Sequence, residues 1–370
     1  MAPATDAPAR RRLKFHPLTV AGIRQLTADS VEIAFAVPPE LQDEFSYVPG
    51  QHVAVRTTID GVDVRRSYSL CAVPDGRTVK IGVKETPGGI FSSFVQDKLE
   101  PGATLEVMNP QGTFTSHVPG GTAARIVAIA AGSGITPVMA LASSLLAGNE
   151  KASFTLIYAN RTVADVMFLE EIADLKDLYP GRFDVHHVLS REGRSADLYS
   201  GRIDGEKLER LFEYIVPPEI IDEWFLCGPL ELVDLCRDAL DGRDVDRSRV
   251  HFELFTTGDS PSRSAPRKLT KEEIKGPQRQ ITFRLDGRSA TVETPAEAPE
   301  TVLAAALRSR SDVPFACAGG VCGTCKAVLT KGNVSMADNF ALEPDEIEAG
   351  YVLTCQSTPT TDAVEVDYDR

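Results

Sequence analysis

The sequence predicts a multidomain chain built from an antiparallel β-barrel, a doubly wound parallel α/β sheet and a small α+β unit, in that order. Three observations carry this. The first third is cut into short β-rich stretches by Pro and Gly; at Arg125 the rhythm changes to alternating strands and helices; and a hairpin, a helix and a cysteine cluster follow a polar linker. At roughly 100–200 residues per domain, 370 residues accommodate two or three such units.

In the first unit, residues 31–37, 53–57, 64–70, 78–84 and 105–108 read as strands, and residues 90–99 as one amphipathic helix. Many short strands with a single helix favour an antiparallel barrel over a parallel sheet. From Arg125 to Ala131 an apolar run suits a buried parallel strand, followed by a Gly turn and a helix reaching Leu146. Further strands are expected at 154–159, 183–189, 223–227 and 251–255, with helices at 167–178, 205–212 and 229–240. Residues 256–278 are rich in Ser, Pro, Thr, Lys and Glu and read as a linker. Beyond it, 280–285 and 289–293 form a hairpin closed by Asp286-Gly287, and a helix spans about 300–308. The division is thus a flexible basic tail (1–14), a barrel (15–119), an α/β domain (120–255), the linker, and a C-terminal domain (279–370).

Composition narrows the function classes. With 39 Lys and Arg against 53 Asp and Glu, the net charge of −14 disfavours nucleic-acid binding, which needs a basic face. No apolar run approaches the roughly 18–20 residues of a membrane span. No apolar stretch follows the basic residues 10–14, which argues against a secretory signal and for the cytoplasm. Seven cysteines without an export signal point to a metal site rather than a disulfide framework.

Cys317, Cys322, Cys325 and Cys355 have the spacing C-x4-C-x2-C-x29-C, that of plant-type [2Fe–2S] ferredoxins. Gly319, Gly320 and Gly323 let the loop curl so that backbone amides face the sulfurs. A structural zinc site with the same four thiolates is the competing reading, although zinc sites usually pair two C-x2-C knuckles and only one is present.

Two Gly-rich turns suggest phosphate binding at helix N-termini. Gly132-Ser-Gly134-Ile-Thr136-Pro follows the first parallel strand, with Pro where a G-x-G-x-x-G fingerprint has its third Gly. Cys227-Gly228-Pro229 ends a later strand and should reach the same sheet edge, where a thiol and backbone can face a planar ring; packing is the ordinary role of a lone cysteine. Ser190-Arg191, at another strand end, suits a 2′-phosphate and favours NADPH over NADH, with NADH left open. In the barrel, Arg66, Tyr68 and Ser69 offer a pyrophosphate partner, a ring cover and a ring-edge hydrogen bond, and Gly89 opens a helix beside them.

Together, R-S-Y-S, G-G-I-F-S, G-S-G-I-T-P, C-G-P and the cysteine spacing occur in one order. From about residue 15 to its end the chain resembles the ferredoxin–NADP reductase superfamily, in its branch fused to a C-terminal plant-type ferredoxin. Within that branch it looks most like reductase subunits of phenylacetyl-CoA epoxidase (monooxygenase) complexes, from residues 158–161, 189–192 and 252–255. The resemblance implies a flavin barrel, a nicotinamide α/β domain and a β-grasp ferredoxin domain. Arg66, Tyr68 and Ser69 would hold FAD, with FMN as the alternative. Gly89, Phe91 and Ser92 would lie at its pyrophosphate, and Val83 and Lys84 near its adenosine. Gly132, Gly134 and Thr136 would flank the nicotinamide and its pyrophosphate, with Gly228 and Pro229 beside them. Asn160 and Arg161 would bound the adenosine side, Ser190 and Arg191 the 2′-phosphate. Phe255 would shield the flavin, while Ser69, Thr136 and Cys227 would stand at the reacting atoms.

The activity so implied is NAD(P)H oxidation, with hydride passing to flavin and single electrons to the [2Fe–2S] cluster and then to an oxygenase component, expected to be that acting on phenylacetyl-CoA. A reductase for a steroid or aromatic-ring hydroxylase is the near alternative, and a redox-sensing carrier without turnover the distant one. No His/Asp/Ser or paired-carboxylate constellation is evident. His186-His187 read as sheet residues, and Cys71 and Cys236 as packing residues. Residues 279–370 hold 8 basic and 14 acidic side chains, a net of −6 that suits a basic docking partner or ordinary solubility.

Overall fold

The computed structural model of the chain describes residues 13–193, 196–255, 276–310, 312–315, 317–342 and 344–370. Most of the expected linker, residues 256–275, and the tail to residue 12 lie outside them. Leu13 and Lys14, expected in the tail, are instead fastened to the barrel: the Lys14 amide donates to Asn109 Oδ1 (2.9 Å) and Leu13 packs beside Met108.

The first unit comprises β1 (Phe15–Thr27), β2 (Ser30–Ala36), β3 (His52–Ile59), β4 (Val62–Ser69), β5 (Thr78–Lys84), α1 (Ile90–Asp97) and β6 (Thr104–Met108). The strands form one antiparallel sheet in the order β4-β3-β6-β1-β2-β5. A bridge between Leu70 and Ile81, with the Cys71 amide bonded to Lys80 O, brings the two outer strands together. Inward residues such as Leu18, Ile33, Val53, Ile81 and Val107 are fully buried, and each side chain of this size contributes about 1.5–3 kcal/mol on burial. The expected reading lacked β1, whose alternation is blurred by Pro17 and by a bulge at Gly22. The β3–β4 turn uses Asp60-Gly61, both at positive φ (49° and 80°), as a two-residue hairpin requires.

The second unit contains β7 (Ala124–Ala131), α2 (Ile135–Gly148), β8 (Ala152–Asn160), α3 (Leu169–Leu178), β9 (Phe183–Leu189), α4 (Gly205–Tyr214), β10 (Glu223–Gly228), α5 (Leu230–Asp241) and β11 (Val250–Leu254). All its strands are parallel, in the order β11-β10-β7-β8-β9. Chain order reverses between β7 and β10, so the loops after these strands diverge and leave a crevice at their C-terminal ends. Nearly the whole first half of α2, Ile135 to Ala142, is buried. A continuous apolar core joins α2 and the sheet to Cys71 and Phe114 of the barrel. Glu223, at the start of β10, holds the connector from the barrel: it accepts from Ser116 Oγ (2.5 Å) and the His117 amide (2.7 Å).

The third unit has β12 (Gln278–Leu285), β13 (Arg288–Pro295), α6 (Val302–Ser309), β14 (Lys326–Lys331), β15 (Val334–Met336), α7 (Pro344–Glu348), β16 (Tyr351–Leu353), β17 (Ser357–Pro359) and β18 (Ala363–Asp367). A mixed sheet β13-β12-β18-β14-β16 packs on α6 around Ile281, Phe283, Leu303 and Val364. The Asp286-Gly287 hairpin forms with both residues at positive φ. Its first strand begins at Gln278, inside the stretch expected to be linker. This is the three-unit architecture of barrel, parallel sheet and α+β domain that the sequence predicts. Among the described residues no helix is long and apolar enough to cross a membrane.

Candidate redox site

The cysteine loop places its thiols in pairs. Cys317 and Cys322 are in hydrogen-bonding contact, as are Cys325 and Cys355. Among the described residues no three His, Cys, Asp or Glu side chains converge on one point. Two thiol pairs suit the two irons of a [2Fe–2S] cluster. The hydrogen bond from Cys322 and the amides of Gly319, Val321 and Cys322 push Cys317 down to about 6. Gly319 N lies 3.4 Å from its sulfur. A donor shell of this kind stabilises thiolate ligands. The left-handed turns fall at Ala318, Gly320 and Gly323 (φ 55°, 77° and 66°), so Gly319 contributes its amide rather than conformational freedom.

The strand carrying Arg66, Tyr68 and Ser69 is β4. Tyr68 lies against Phe91, with ring centroids 5.5 Å apart. Burial raises its hydroxyl pKa, leaving it neutral. Gly89 precedes α1, and a Cβ there would stand 2.6 Å from Ser92 Oγ and 2.9 Å from Thr86 O. The first turn of α1 is thus wrapped closely enough for backbone amides to face a phosphate. Phe91 and Ser92 are buried within it. Val83 does not offer its side chain: it is fully buried in the barrel core. Lys84 Nζ is paired with Asp29 (2.8 Å).

On the parallel sheet, the expected nucleotide residues gather at the C-terminal strand ends. The Ser190 amide donates to Asn160 O (2.9 Å) and the Arg191 amide to Arg161 O (2.8 Å), which brings all four residues to one corner. Gly132–Gly134 forms a 3-10 turn leading into α2. Gly134 touches the Cys227-Gly228 peptide so closely that a Cβ would fall 2.1 Å from Cys227 O. Thr136 is buried and its hydroxyl donates to Ser133 O (3.0 Å). Its methyl faces Gly82 of the barrel, where a Cβ would come within 2.6 Å. Pro229 caps α5. Phe255 packs at the rim of the core shared by barrel and sheet. Burial, and then the nearby Glu253 carboxylate, raise the pKa of the fully buried Cys227 thiol.

Glu253 was not singled out from the sequence. It pairs with Cys227 across β10–β11, accepts a hydrogen bond from Ser69 Oγ (2.7 Å), and lies 3.5 Å from His52 Nδ1. Ser69, Glu253 and His52 form the polar constellation that sequence inspection missed, because 184 residues separate Ser69 from Glu253. Its order, hydroxyl to carboxylate to imidazole, does not make a nucleophile; it fixes the Ser69 hydroxyl. The signal was an acid inside the expected strand His251–Phe255, otherwise largely apolar. Elsewhere, His186 stacks on Tyr199 (5.7 Å) within β9 and its flank, and Cys71 and Cys236 are buried packing residues. Arg194, a further cation close behind Ser190-Arg191 in the sequence, lies outside the described residues. A cavity of about 1340 Å³ lies where the three units meet, lined by His52, Gln111, Glu253, Cys322, Lys326 and Phe340 among others. Arg66, Tyr68, Thr136 and Cys227 do not line it.

Family comparisons agree with this arrangement. The oxidoreductase FAD-binding domain profile matches residues 17–116, the oxidoreductase NAD-binding domain 128–238, and the 2Fe-2S iron-sulfur cluster binding domain 283–360. A component of the 1,2-phenylacetyl-CoA epoxidase of Escherichia coli (strain K12) is 41% identical over 96% of this chain and 98% of its own. The ferredoxin reductase component of 3-ketosteroid-9-alpha-monooxygenase from Rhodococcus rhodochrous is 35% identical over 95% of this chain and 96% of its own. Phthalate dioxygenase reductase shares the fold, with a TM-score of 0.56 and 22% identity over 95% of this chain and 98% of its own. With FAD-, NAD(P)H- and [2Fe–2S]-binding domains in this order, the chain belongs to the ferredoxin–NADP reductase superfamily, in the branch of NAD(P)H-dependent oxidoreductases that carry a C-terminal ferredoxin domain and serve oxygenases as their reductase component.

Proposed function

We propose that this chain draws electrons from NADPH and delivers them to an oxygenase component acting on phenylacetyl-CoA, in the cytoplasm. One observation carries the electron-transfer reading: Glu253 joins the nicotinamide side to the flavin side, pairing with Cys227 in the sheet and binding Ser69 of the barrel. The 41% identity to the epoxidase component over nearly the whole chain supports the choice of partner.

Bound FAD and the [2Fe–2S] cluster would supply the change from two-electron to one-electron chemistry. The chain's own part is binding and orientation. Arg66 and the Gly89–Ser92 turn hold a pyrophosphate, Tyr68 covers a ring face, and Ser69, fixed by Glu253, presents its hydroxyl at the ring edge. Gly132, Gly134, Gly228 and Pro229 shape the nicotinamide crevice. Cys227 and Thr136 form its floor as neutral groups that exclude water, and Phe255 closes the flavin side. The Val83 backbone and Lys84 bound the flavin adenosine; Asn160, Arg161, Ser190 and Arg191 bound the NADPH adenosine and its 2′-phosphate. Cys317, Cys322, Cys325 and Cys355 ligate the cluster in two pairs. The same proposal divides the chain at residues 119/120 and 255/256, and opens the third domain by Gln278, where its first strand begins. β6 ends at Met108 and β7 begins at Ala124, which supports the first boundary.

The test is reconstitution. The purified chain, supplied with NADPH, should support oxygen-dependent conversion of phenylacetyl-CoA by the epoxidase oxygenase components. Support of a ketosteroid oxygenase, with none for the epoxidase, would reject the partner and keep the reductase.

A further inference from the structure

We propose that Arg65 is a positioning residue for electron transfer between flavin and cluster: it clamps the cluster loop to the flavin-binding strand, with Gln111 as a second tie. The proposal rests on the reading that both cofactors work in this chain. Arg65 immediately precedes Arg66 on β4, yet its side chain serves another domain. The guanidinium lies over the Phe315 ring (3.9 Å) and near Phe15 (4.6 Å), and Nη1 donates to Phe315 O (2.9 Å). Phe315 stands two residues before the ligand Cys317. The side chain is buried, and among the described residues no carboxylate forms an ion pair with it. Burial, with the neighbouring Arg56, lowers its pKa to about 10, so it keeps its charge at neutral pH. A buried cation without an ion pair is expensive, and an apolar side chain would pack as well. What only Arg provides here is a planar cation between two rings that also reaches a carbonyl.

The second tie is independent. Gln111 Nε2 donates to Thr324 Oγ1 (3.0 Å), and that hydroxyl shares a hydrogen bond with Cys322 Sγ (3.0 Å). Gln111 is held in turn by paired backbone bonds with His52 at the start of β3. Between the ties, Cys322 packs on Ala54 and Met108. Ala54 is registered opposite Ser67, the residue between Arg66 and Tyr68. One ladder rung and one van der Waals contact therefore separate a cluster ligand from the flavin strand. The step moves one electron from reduced flavin to oxidised cluster and needs no other reactant. Tunnelling decays steeply with distance, so loosening the loop slows this step and leaves hydride transfer alone.

The test uses full-length holoprotein with Arg65→Ala, Arg65→Lys and Gln111→Leu. In anaerobic stopped flow with NADPH, the flavin-bleaching phase should keep its rate in all three. The following cluster-reduction phase should slow at least about tenfold in Arg65→Ala, because the protein's part in this step is to hold the two cofactors close and the rate falls exponentially as they separate. Gln111→Leu should slow it less, and Arg65→Lys should restore part of the rate. Small-angle scattering should show a larger radius of gyration for Arg65→Ala at unchanged flavin and iron content. Cluster reduction within twofold of the parent protein in both Arg65→Ala and Gln111→Leu would overturn the clamp. If Arg65→Ala does not fold, Gln111→Leu decides alone. A parent protein that reduces its flavin but never its cluster would instead defeat the underlying functional reading.

Discussion

The cysteine loop proposed to hold the cluster and the strand-end crevice proposed to hold nicotinamide are built by opposite strategies. Three of the four cysteines lie within nine residues, and the loop supplies its own amide donors. The crevice has no such local unit: Gly134, Asn160, Ser190, Cys227 and Glu253 come from five different strand ends and meet only because the sheet is ordered β11-β10-β7-β8-β9. The loop is a property of a short segment; the crevice is a property of topology. Damage to the first should be all-or-none, and damage to the second graded.

The sharpest way to break this contrast is Cys325→Ser. Cys325 is buried and contacts Cys355, so loss of this ligand should strip iron and sulfide from the chain. It should also lower NADPH–cytochrome c reduction at least about a hundredfold, with ferricyanide reduction retained. Metal analysis showing full iron and sulfide occupancy would refute the ligand assignment. Next comes Gly134→Ala, which drives a Cβ into Cys227 O across the crevice. Overpacking of this kind costs about 1–3 kcal/mol, visible as a lower Tm and a raised NADPH KM. An unchanged KM would show that the two loops need not touch. Ser69→Ala leaves Glu253 without its hydroxyl donor. Loss of a hydrogen bond to a charged group is worth about 1.5–3 kcal/mol, and hydride transfer should slow by roughly ten- to a hundredfold. Ser69→Thr should recover part of it.

Smaller effects test the rim. Arg191→Ala should raise the KM for NADPH roughly fivefold and leave that for NADH in place, as an exposed contact worth about 1 kcal/mol would. Equal changes for both nucleotides would remove Arg191 from the 2′-phosphate. The smallest effect concerns pH. Burial raises the pKa of Glu223, but the His251 ring 3.5 Å away and the hydrogen bonds from Ser116 and the His117 amide outweigh it, and the net shift is downward. A depressed carboxylate contributes stability above its unfolded value of 4.5 that is lost as pH falls through its folded value. Acid denaturation of Glu223→Gln should therefore begin from a lower plateau and show a shallower fall than the parent below that pH. Superimposable curves would show that this contact does not matter.

What the sequence disclosed follows the same division. The 2Fe-2S domain was legible from its cysteine spacing, and the parallel sheet from its apolar strands, because both signals are local. β1 was not, since Pro17 and the Gly22 bulge break its alternation. Nor were β14 to β18, whose three- to six-residue lengths carry too little pattern. Glu253 and His52 could not be joined to Ser69 without the fold, because each looks ordinary in its own segment. Arg65 was overshadowed by Arg66: adjacent strand residues face opposite ways, and only the structure shows that the second face meets another domain.

The core that runs from Cys71 and Phe114 into α2 and the parallel sheet also bears on how the molecule melts. Two domains that share one apolar interior, further tied by Arg24 to Glu171, cannot lose their order separately without exposing that interior to water. They should unfold as a single calorimetric transition. The C-terminal domain keeps its main core around Phe283 and Leu303 and meets the others through smaller contacts, such as Val321 and Phe340 on the α/β core, so it should melt as a second, loosely coupled transition. By heat capacity rather than by sequence, the chain should therefore behave as two cooperative bodies instead of three.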